Sequence, residues 1–402
     1  MVPVFPTVLT PQQTKIIRML WRNGRVSRMD IARTTGWSRA KVSIEVSALI
    51  EKGLMEEIGE GQSLGGRRPQ ILSINSRLGY LIGMDIGATS IDIALANIHG
   101  EILAKHSEPA DVRDAPEDVL GRCITLGKEF LLEKNIHTKQ ILAIGVGVPG
   151  PVDFSAGVLV APPLMPLWEK YPIRTFLRTA FPQAVVVVDN DVNIMAIGEM
   201  HAGALNNLQH FIFVKVGTGI GSGIVSSGTL HRGADGCAGD IGHICIDKNG
   251  PLCRCGNLGC LEAVAAGPAI ADYAMQAAIG GKSSILERRM NANGGRLTAV
   301  DVQAAMREGD RAAVEIIQTS GRLIGEALAS LVNFFNPSHI FLGGGVSNLG
   351  NPFLSAIRQA VLQRSLPLAT RRLVIEYSSL ANEAGIHGAV HLALDHLLER
   401  IE

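Results

Sequence analysis

Two stretches of the chain carry residue types that can do chemistry. In "VVVDNDVNIMAIGE" (186–199) an apolar strand runs into a turn crowded by Asp189, Asn190, Asp191 and Asn193, then into a helix. A carboxylate such as Asp191 can take a proton from a bound hydroxyl, although Asp and Asn at such a turn also serve as helix caps. The second stretch, "GHICIDKNGPLCRCGNLGCLEAV", supplies His243, Cys253, Cys255 and Cys260. Three thiolates and one imidazole make a closed Cys3His set, the donor combination of structural zinc, with no position left open for substrate. The C-x-C-x4-C spacing, with Gly256 and Gly259, suits a chain wrapped round one ion. His243, ten residues upstream, is the outlying member of the set: it reads either as a plain surface histidine or as one that orients a ligand with its other ring nitrogen.

Glycine-rich turns are a third chemical feature. Gly217, Gly219, Gly221 and Gly223 alternate after the strand-like "HFIFVKV", and further glycine turns occur at 85–89 and 343–345. Backbone N–H groups without neighbouring Cβ atoms can cradle phosphate oxygens. The run is not a dinucleotide fingerprint, because Ser222 stands at the third-glycine position, and the chain holds no G-x-x-x-x-G-K-[ST] loop.

These residues need an α/β frame. "YLIGMDIGATSIDIALANIHGEIL" reads as three strands turning at Gly87 and Gly100, followed by a helix over about 116–134 and the strand "ILAIGVGVPGPVD". Residues 210–232 repeat the strand, glycine turn, strand theme, so two α/β halves facing a cleft are expected. The last third reads as mostly helical, broken by the strand "HIFLGGGVS" (339–347).

The first eighty residues are of another kind. They hold twelve Lys/Arg against six Asp/Glu, whereas the remainder holds 25 against 31, so a neutral chain carries a basic head on an acidic body. A helix from about Thr10 to Arg22 stops at Gly24, and Ser27 and Asp30 then frame a second helix that stops at Gly36. The third, capped by Ser38 and stopped at Gly53, buries Val42, Val46, Leu49 and Ile50 and leaves Arg39, Lys41 and Ser43 near its exposed start. That is the layout of a helix-turn-helix, whose second helix enters the major groove. "LMEEIGEGQSLGGRRPQILSIN" adds two strands around a loop, a wing on which Arg67 and Arg68 can reach phosphate or the minor groove. The predicted DNA contacts are thus Ser38, Arg39, Lys41, Ser43, Arg67 and Arg68; a small helical domain for protein contacts is the plainer alternative.

At 402 residues, 47% hydrophobic and 18% charged, with 45 glycines and few aromatics, the composition fits a multidomain α/β protein. The chain lacks a run of eighteen apolar residues, so membrane insertion is not expected. "MVPVFPTVLTPQQ" has two prolines and no basic region, so it does not read as a signal peptide, and a cytoplasmic location is expected. Without a secretory signal, the tight cluster among the six cysteines (the others are Cys123, Cys237 and Cys245) points to metal rather than disulfides.

In order and spacing, "GVGVPGPVD", "DNDVN", "GTGIGSG", "GHICIDKNGPLCRCGNLGCLEAVAAG" and "GGGVS" resemble the motifs of the ROK family of repressors, open reading frames and sugar kinases. The resemblance spans essentially the whole chain, head included, as in the repressor-type members. It implies a winged helix-turn-helix domain over 1–75 and, over 76–402, a two-lobed actin-like ATPase (ribonuclease H-like) α/β fold with a zinc loop at 243–260. It implies structural zinc on His243, Cys253, Cys255 and Cys260, and sugar contacts at Asn190, Asp191, Asp240, His243 and Glu262. In kinase members the residue matching Asp191 is the general base. Nucleotide positions, where ATP and Mg2+ are retained, fall on Asp85, Gly87, Thr89, Gly217, Thr218, Gly219, Gly221, Gly344 and Gly345. The chain departs from the kinase pattern where "DIGATS" replaces D-I-G-G-T-K, leaving Ala88 and Ser90, and where Asp240 replaces a glutamate. The leading expectation is a sugar-responsive transcriptional regulator with operator DNA and a sugar or sugar phosphate as ligands, acting as a homodimer or dimer of dimers. An ATP-dependent hexose or N-acyl-hexosamine kinase is the alternative, and a protein partner as the signal is a third reading.

Overall fold

The computed structural model describes residues 9–60, 68–201 and 208–400. The head comprises α1 (Pro11–Asn23), β1 (Val26–Ser27), α2 (Arg28–Thr35), α3 (Arg39–Glu51), β2 (Met55–Glu60) and β3 (Gln70–Ile74). Its helix boundaries follow from local chemistry. Thr10 caps α1, and Ser27 and Asp30 form a reciprocal capping box on α2, with the Asp30 carboxylate accepting from the Ser27 N–H at 2.9 Å. Gly36 ends α2 in the left-handed conformation that glycine tolerates best. The antiparallel pair β2–β3 is the wing; β1, too short to show a period, joins it to give the order β1-β3-β2.

The body is built twice on one plan. In the first lobe, β4 (Tyr80–Ile86), β5 (Ser90–Asn97) and β6 (Ile102–Pro109) form an antiparallel meander. Helix α4 (Pro116–Glu133) then leads to β7 (Ile141–Val148), parallel to β4. A two-strand hairpin, β8 (Val152–Asp153) and β9 (Val158–Leu159), and α5 (Ile173–Ala180) precede β10 (Val185–Asn190), parallel to β7. In the second lobe, β11 (Phe211–Val216), β12 (Ile220–Ser226) and β13 (Thr229–His231) repeat the meander. β14 (His339–Gly343) and β15 (Val374–Tyr377) add the two parallel strands. The sheet orders β10-β7-β4-β5-β6 and β15-β14-β11-β12-β13 correspond strand for strand. The doubled architecture expected from the repeated glycine turns is therefore present, with β15 as a strand that sequence reading missed.

Helices α7 (Leu261–Ala265), α8 (Gly267–Ile279), α9 (Ser284–Ala292), α10 (Ala299–Arg307), α11 (Arg311–Phe335), α12 (Asn351–Arg364) and α13 (Pro367–Thr370) belong to the second lobe. Two others join the parts. α6 (Asp191–His201) leaves β10, and its residues 191–199 are buried on all sides. α14 (Ala384–Glu399) crosses it with the two backbones in contact: a methyl on Gly388 would overlap the Ile194 carbonyl, and one on Gly198 would overlap that of Ala384. Gly145 of β7 likewise lets α14 lie against the sheet. At its start Ala384 packs with Phe211, Phe213 and Phe341 of the second lobe. Farther along, Val390, Leu394 and Leu397 join Val46, Leu49, Leu54 and Leu72 of the head in one apolar cluster. Among the described residues, no helix is long and apolar enough to cross a membrane.

Candidate functional site: a carboxylate-lined cleft beside a Cys3His cluster

The "DND" turn sits where β10 becomes α6, and its three side chains have different tasks. Asp189 is buried and accepts from the Asn190 N–H and from Asn193 Nδ2, each at 2.8 Å. It also pairs with Arg232 of the second lobe, whose Nε donates at 2.8 Å and whose guanidinium lies 4.0 Å from the Phe154 ring centre. Asn190 caps α6 by accepting from the Val192 N–H at 2.8 Å, while its amide nitrogen donates to the Gly150 carbonyl at 2.9 Å. Capping and a ligand role are compatible, because a primary amide has a second N–H and a second lone pair. Asp191 is buried, and its Oδ2 accepts from Lys215 Nζ of β11.

Burial works to lower the Lys215 pKa, but the carboxylates of Asp191 and Asp85 outweigh it and hold the ammonium above its ordinary value. Asp85, at the end of β4, is buried with no hydrogen-bond partner on Oδ1. Burial pushes its carboxyl up to about 7, against the pull of Lys215 and with the push of Asp191 and Asp92.

Glu262 opens the first turn of α7, and its Oε2 accepts from the Ile220 N–H at 3.1 Å. A Cβ on Gly219 would overlap that oxygen, so the glycine turn and the carboxylate are mutually fitted. Burial raises the Glu262 pKa. Next to it, the donor atoms of His243, Cys253, Cys255 and Cys260 all lie within 4.8 Å of one another. His243 Nδ1 is 3.6 Å from Cys253 Sγ, and Cys255 Sγ is 3.7 Å from Cys260 Sγ. A tetrahedron with metal–sulfur arms of about 2.3 Å has edges of about 3.8 Å, so the set fits a tetrahedral zinc ion. Burial raises the thiols of Cys253 and Cys260, the latter to about 12, while the Asn257 N–H draws Cys255 down to about 7. A cation among them would favour all three thiolates. The histidine presents Nδ1 to the thiols and turns Nε2 towards Asp240, 4.0 Å away and half exposed.

The glycine positions divide between two roles. Gly217 faces the Gly345 N–H, and Gly344 adopts φ +87°, so the two glycine loops meet across the second lobe. Beside them lies a cavity of about 310 Å³ lined by Ala299, Val300, Gln303, Arg307, Gly345 and Leu349. Thr218 is half-buried between Gly217 and Gly219. Gly221 and Gly223 instead face α6: a Cβ on Gly221 would stand 3.0 Å from Val192 Cγ2, and one on Gly223 2.6 Å from Ala196 Cβ. Their missing side chains are accounted for by packing. In the first lobe, the Gly87 N–H donates to the Ser90 carbonyl at 2.8 Å to close the turn, with Thr89 exposed, and the Ala88 methyl packs on the lobe core.

In the head, Arg39, Lys41 and Ser43 are exposed along α3, and Ser38 caps it by accepting from the Lys41 N–H at 3.3 Å. Lys41 Nζ lies 4.8 Å from the Trp37 ring centre. Arg68 is exposed, and Arg67 lies outside the described residues. Sequence reading passed over Ile44, 69% exposed on the same helix face region, a side chain able to meet a thymine methyl. It also passed over Lys215 and Arg232; a lysine inside the otherwise apolar "FIFVKV" was the available signal for the first.

Fold and site thus define a two-lobed α/β cleft protein of the sugar-kinase type carrying a winged helix-turn-helix head. The chain belongs to the ROK family, whose model matches residues 81–396. It is 32% identical over 388 residues, 95% of each chain, to a putative xylose repressor of Caldicellulosiruptor sp. (strain Rt8B.4). The crystal structure of a ROK family transcriptional regulator, a homologue of the E. coli MLC protein, superposes with a TM-score of 0.81 at 27% identity, covering 97% of this chain and 96% of the other. A ROK family glucokinase from Streptomyces griseus, solved with glucose and AMPPNP, matches with a TM-score of 0.67 at 29% identity, covering 79% of this chain and all of its own.

The raised Asp85 carboxyl has a measurable consequence. In the folded chain it keeps its proton to about pH 7, whereas unfolded it releases it near 3.8. The native state therefore loses stability as pH rises through that window. Asp85→Asn removes the penalty, so the melting temperature of the variant relative to the parent should rise between pH 5 and pH 8. A difference that is flat or falls with pH would contradict the assigned burial cost.

Proposed function

We propose that this chain is a sugar-responsive transcriptional regulator, a repressor like its full-length relatives, reading operator DNA with the head and a sugar in the interlobe cleft. The observation that carries this is α14, which in its first turn sets Gly385 against the Asp85 carboxyl and farther along joins the core residues of the head. A change at the cleft has a rigid element through which to reach the DNA-reading surface. In this reading the head over residues 1–75 contacts DNA through Arg39, Lys41 and Ser43 at the start of the recognition helix, with Ser38 as its cap, and through Arg68 ahead of β3 together with its sequence neighbour Arg67.

In the cleft, Asn190, Asp191, Asp240, His243 and Glu262 are the sugar ligands of this reading. Amide and carboxylate groups from both lobes can hold vicinal hydroxyls in pairs, and zinc on His243, Cys253, Cys255 and Cys260 fixes the loop that presents Glu262. The "DND" turn sets the states between which the sugar chooses. Asp191–Lys215 and Asp189–Arg232 both tie the first lobe to the second. A hydroxyl on Asp191 competes with or rearranges the first of these ties, so the sugar binds the two lobe arrangements with different affinity, the requirement for any shift in population. Two heads on a homodimer or dimer of dimers then change their fit to paired half-sites.

The kinase reading retains one favourable observation, the second-lobe cavity beside Gly345. It would use Asp191 as base, with ATP and Mg2+ held near Asp85, Gly87, Thr89, Gly217, Thr218, Gly219, Gly344 and Gly345.

An operator recovered by selection from a random duplex pool, titrated with the chain against a panel of pentoses, hexoses, hexosamines and their phosphates, tests the regulator reading. One sugar class is expected to weaken DNA binding, and Arg39→Ala should weaken it by about tenfold or more while sugar binding is unchanged. Sugar turnover with ATP at ordinary kinase rates, abolished in Asp191→Asn, would instead favour the kinase. For the metal, Cys255→Ser should lose zinc by elemental analysis and sugar affinity with it. Full sugar affinity in zinc-free protein would refute the supporting role.

A further inference from the structure

Phosphoryl transfer needs two things from a cleft of this kind: a divalent cation to neutralise phosphate oxygens, and a carboxylate free to accept the sugar proton. Of the carboxylates placed for these tasks, Asp191 binds the Lys215 ammonium directly and Asp85 is buried close enough to act on its charge. Its Nζ donates to Asp191 Oδ2, and Asp85 and Asp92 act on it electrostatically. Its stem lies along the second glycine loop, where a Cβ on Gly344 would stand 3.0 Å from Lys215 Cγ. The side chain thus runs from the Gly344–Gly345 turn to the acidic pair. The stem therefore fills space between the glycine turn and the candidate base.

We propose that Lys215 is a built-in cation that stands in the place of a divalent metal between Asp85 and Asp191, so that the cleft holds a sugar without metal or nucleotide. ATP and Mg2+ do not fit this cleft as it stands. A dication beside Asp85 would meet a like charge that is fixed to the chain. A γ-phosphate near Gly344 would meet the lysine stem, which passes within van der Waals reach of that turn. The Lys215 ammonium also occupies the Asp191 Oδ2 lone pair on which a general base would receive the sugar proton. The sugar reading is unaffected, since Lys215 and Asp191 form a neutral pair that leaves neutral hydroxyls welcome. The proposal rests on that reading for its meaning in regulation, but its chemistry can be tested without any sugar.

Removing the ammonium leaves the buried Asp191 carboxylate without its cation, with Asp85 as a second oxygen donor nearby, and a divalent cation is the natural replacement. Zinc-loaded full-length protein, Lys215→Met and Lys215→Met/Asp85→Asn are titrated with Mn2+, with binding read by electron paramagnetic resonance and stability by thermal melting. The parent should show neither bound Mn2+ nor a melting shift with Mn2+ or Mg-ATP. Lys215→Met should bind Mn2+ about tenfold or more tightly than the parent and be stabilised by it, and the double variant should lose both effects. If the parent itself binds Mn2+ at a site that Asp85→Asn abolishes, or if folded Lys215→Met binds none, the proposal is overturned. The parent measurement decides even where Lys215→Met does not fold, and Lys215→Gln serves as the milder second variant. A parent that ignores Mn2+ and also ignores every sugar would leave the cation role standing and remove only the sugar reading.

Discussion

The crossing of α6 and α14 is the contact on which the rest of the molecule depends. Two helices can touch backbone to backbone only where side chains are absent, and here Gly198 and Gly388 face the carbonyls of Ala384 and Ile194. Gly145 extends the same close approach to the first-lobe sheet. Interiors packed at crystal-like density transmit displacement rather than absorb it. A shift of α14 by a fraction of an ångström must therefore be answered by α6, by β7 or by both. Because α6 carries Asp191 at its first residue, and α14 passes Asp85 at its start and the head core at its end, this one crossing joins cleft and head.

Two ion pairs cross the cleft between the lobes. Asp189 and Asp191 are two residues apart, at the end of a strand and the start of a helix, and each takes a cation from the opposite lobe. Buried ion pairs contribute little net stability but are costly to leave half-made. A ligand that rearranges one of them has large leverage over the lobe arrangement. The Cys3His cluster lies on the loop ahead of α7, beside the Glu262 carboxylate that accepts from the Ile220 N–H at the glycine turn.

Much of this was legible in the sequence, and the rest was hidden for identifiable reasons. Caps and glycine stops delimit the head helices because their chemistry is local: Ser27 and Asp30 satisfy each other within one turn. The Cys3His set was readable because zinc donors cluster along the chain. The doubled lobes showed themselves through the repeated strand and glycine turn. By contrast, Lys215 and Arg232 find their partners 24 and 43 residues away across the lobes, and nothing local announces such pairs. β1 has two residues and β15 four, too few for a period to appear. Glycines look alike whether they admit a phosphate or a helix, so the run 217–223 read as one cradle, whereas the fold assigns Gly221 and Gly223 to packing on α6. Asn190 shows a capping bond beside its expected ligand role, a duality already present in the residue types of the turn.

The central claim is that sugar in the cleft is felt along α14 and hence in the head. Amide hydrogen exchange of the full-length protein, with and without a saturating sugar, tests it most directly. The account predicts changed protection in α6, throughout α14 from Gly385 to Leu397, and in α3 of the head. Protection that changes around Asp191 and Glu262 while α14 and α3 exchange as before would contradict it.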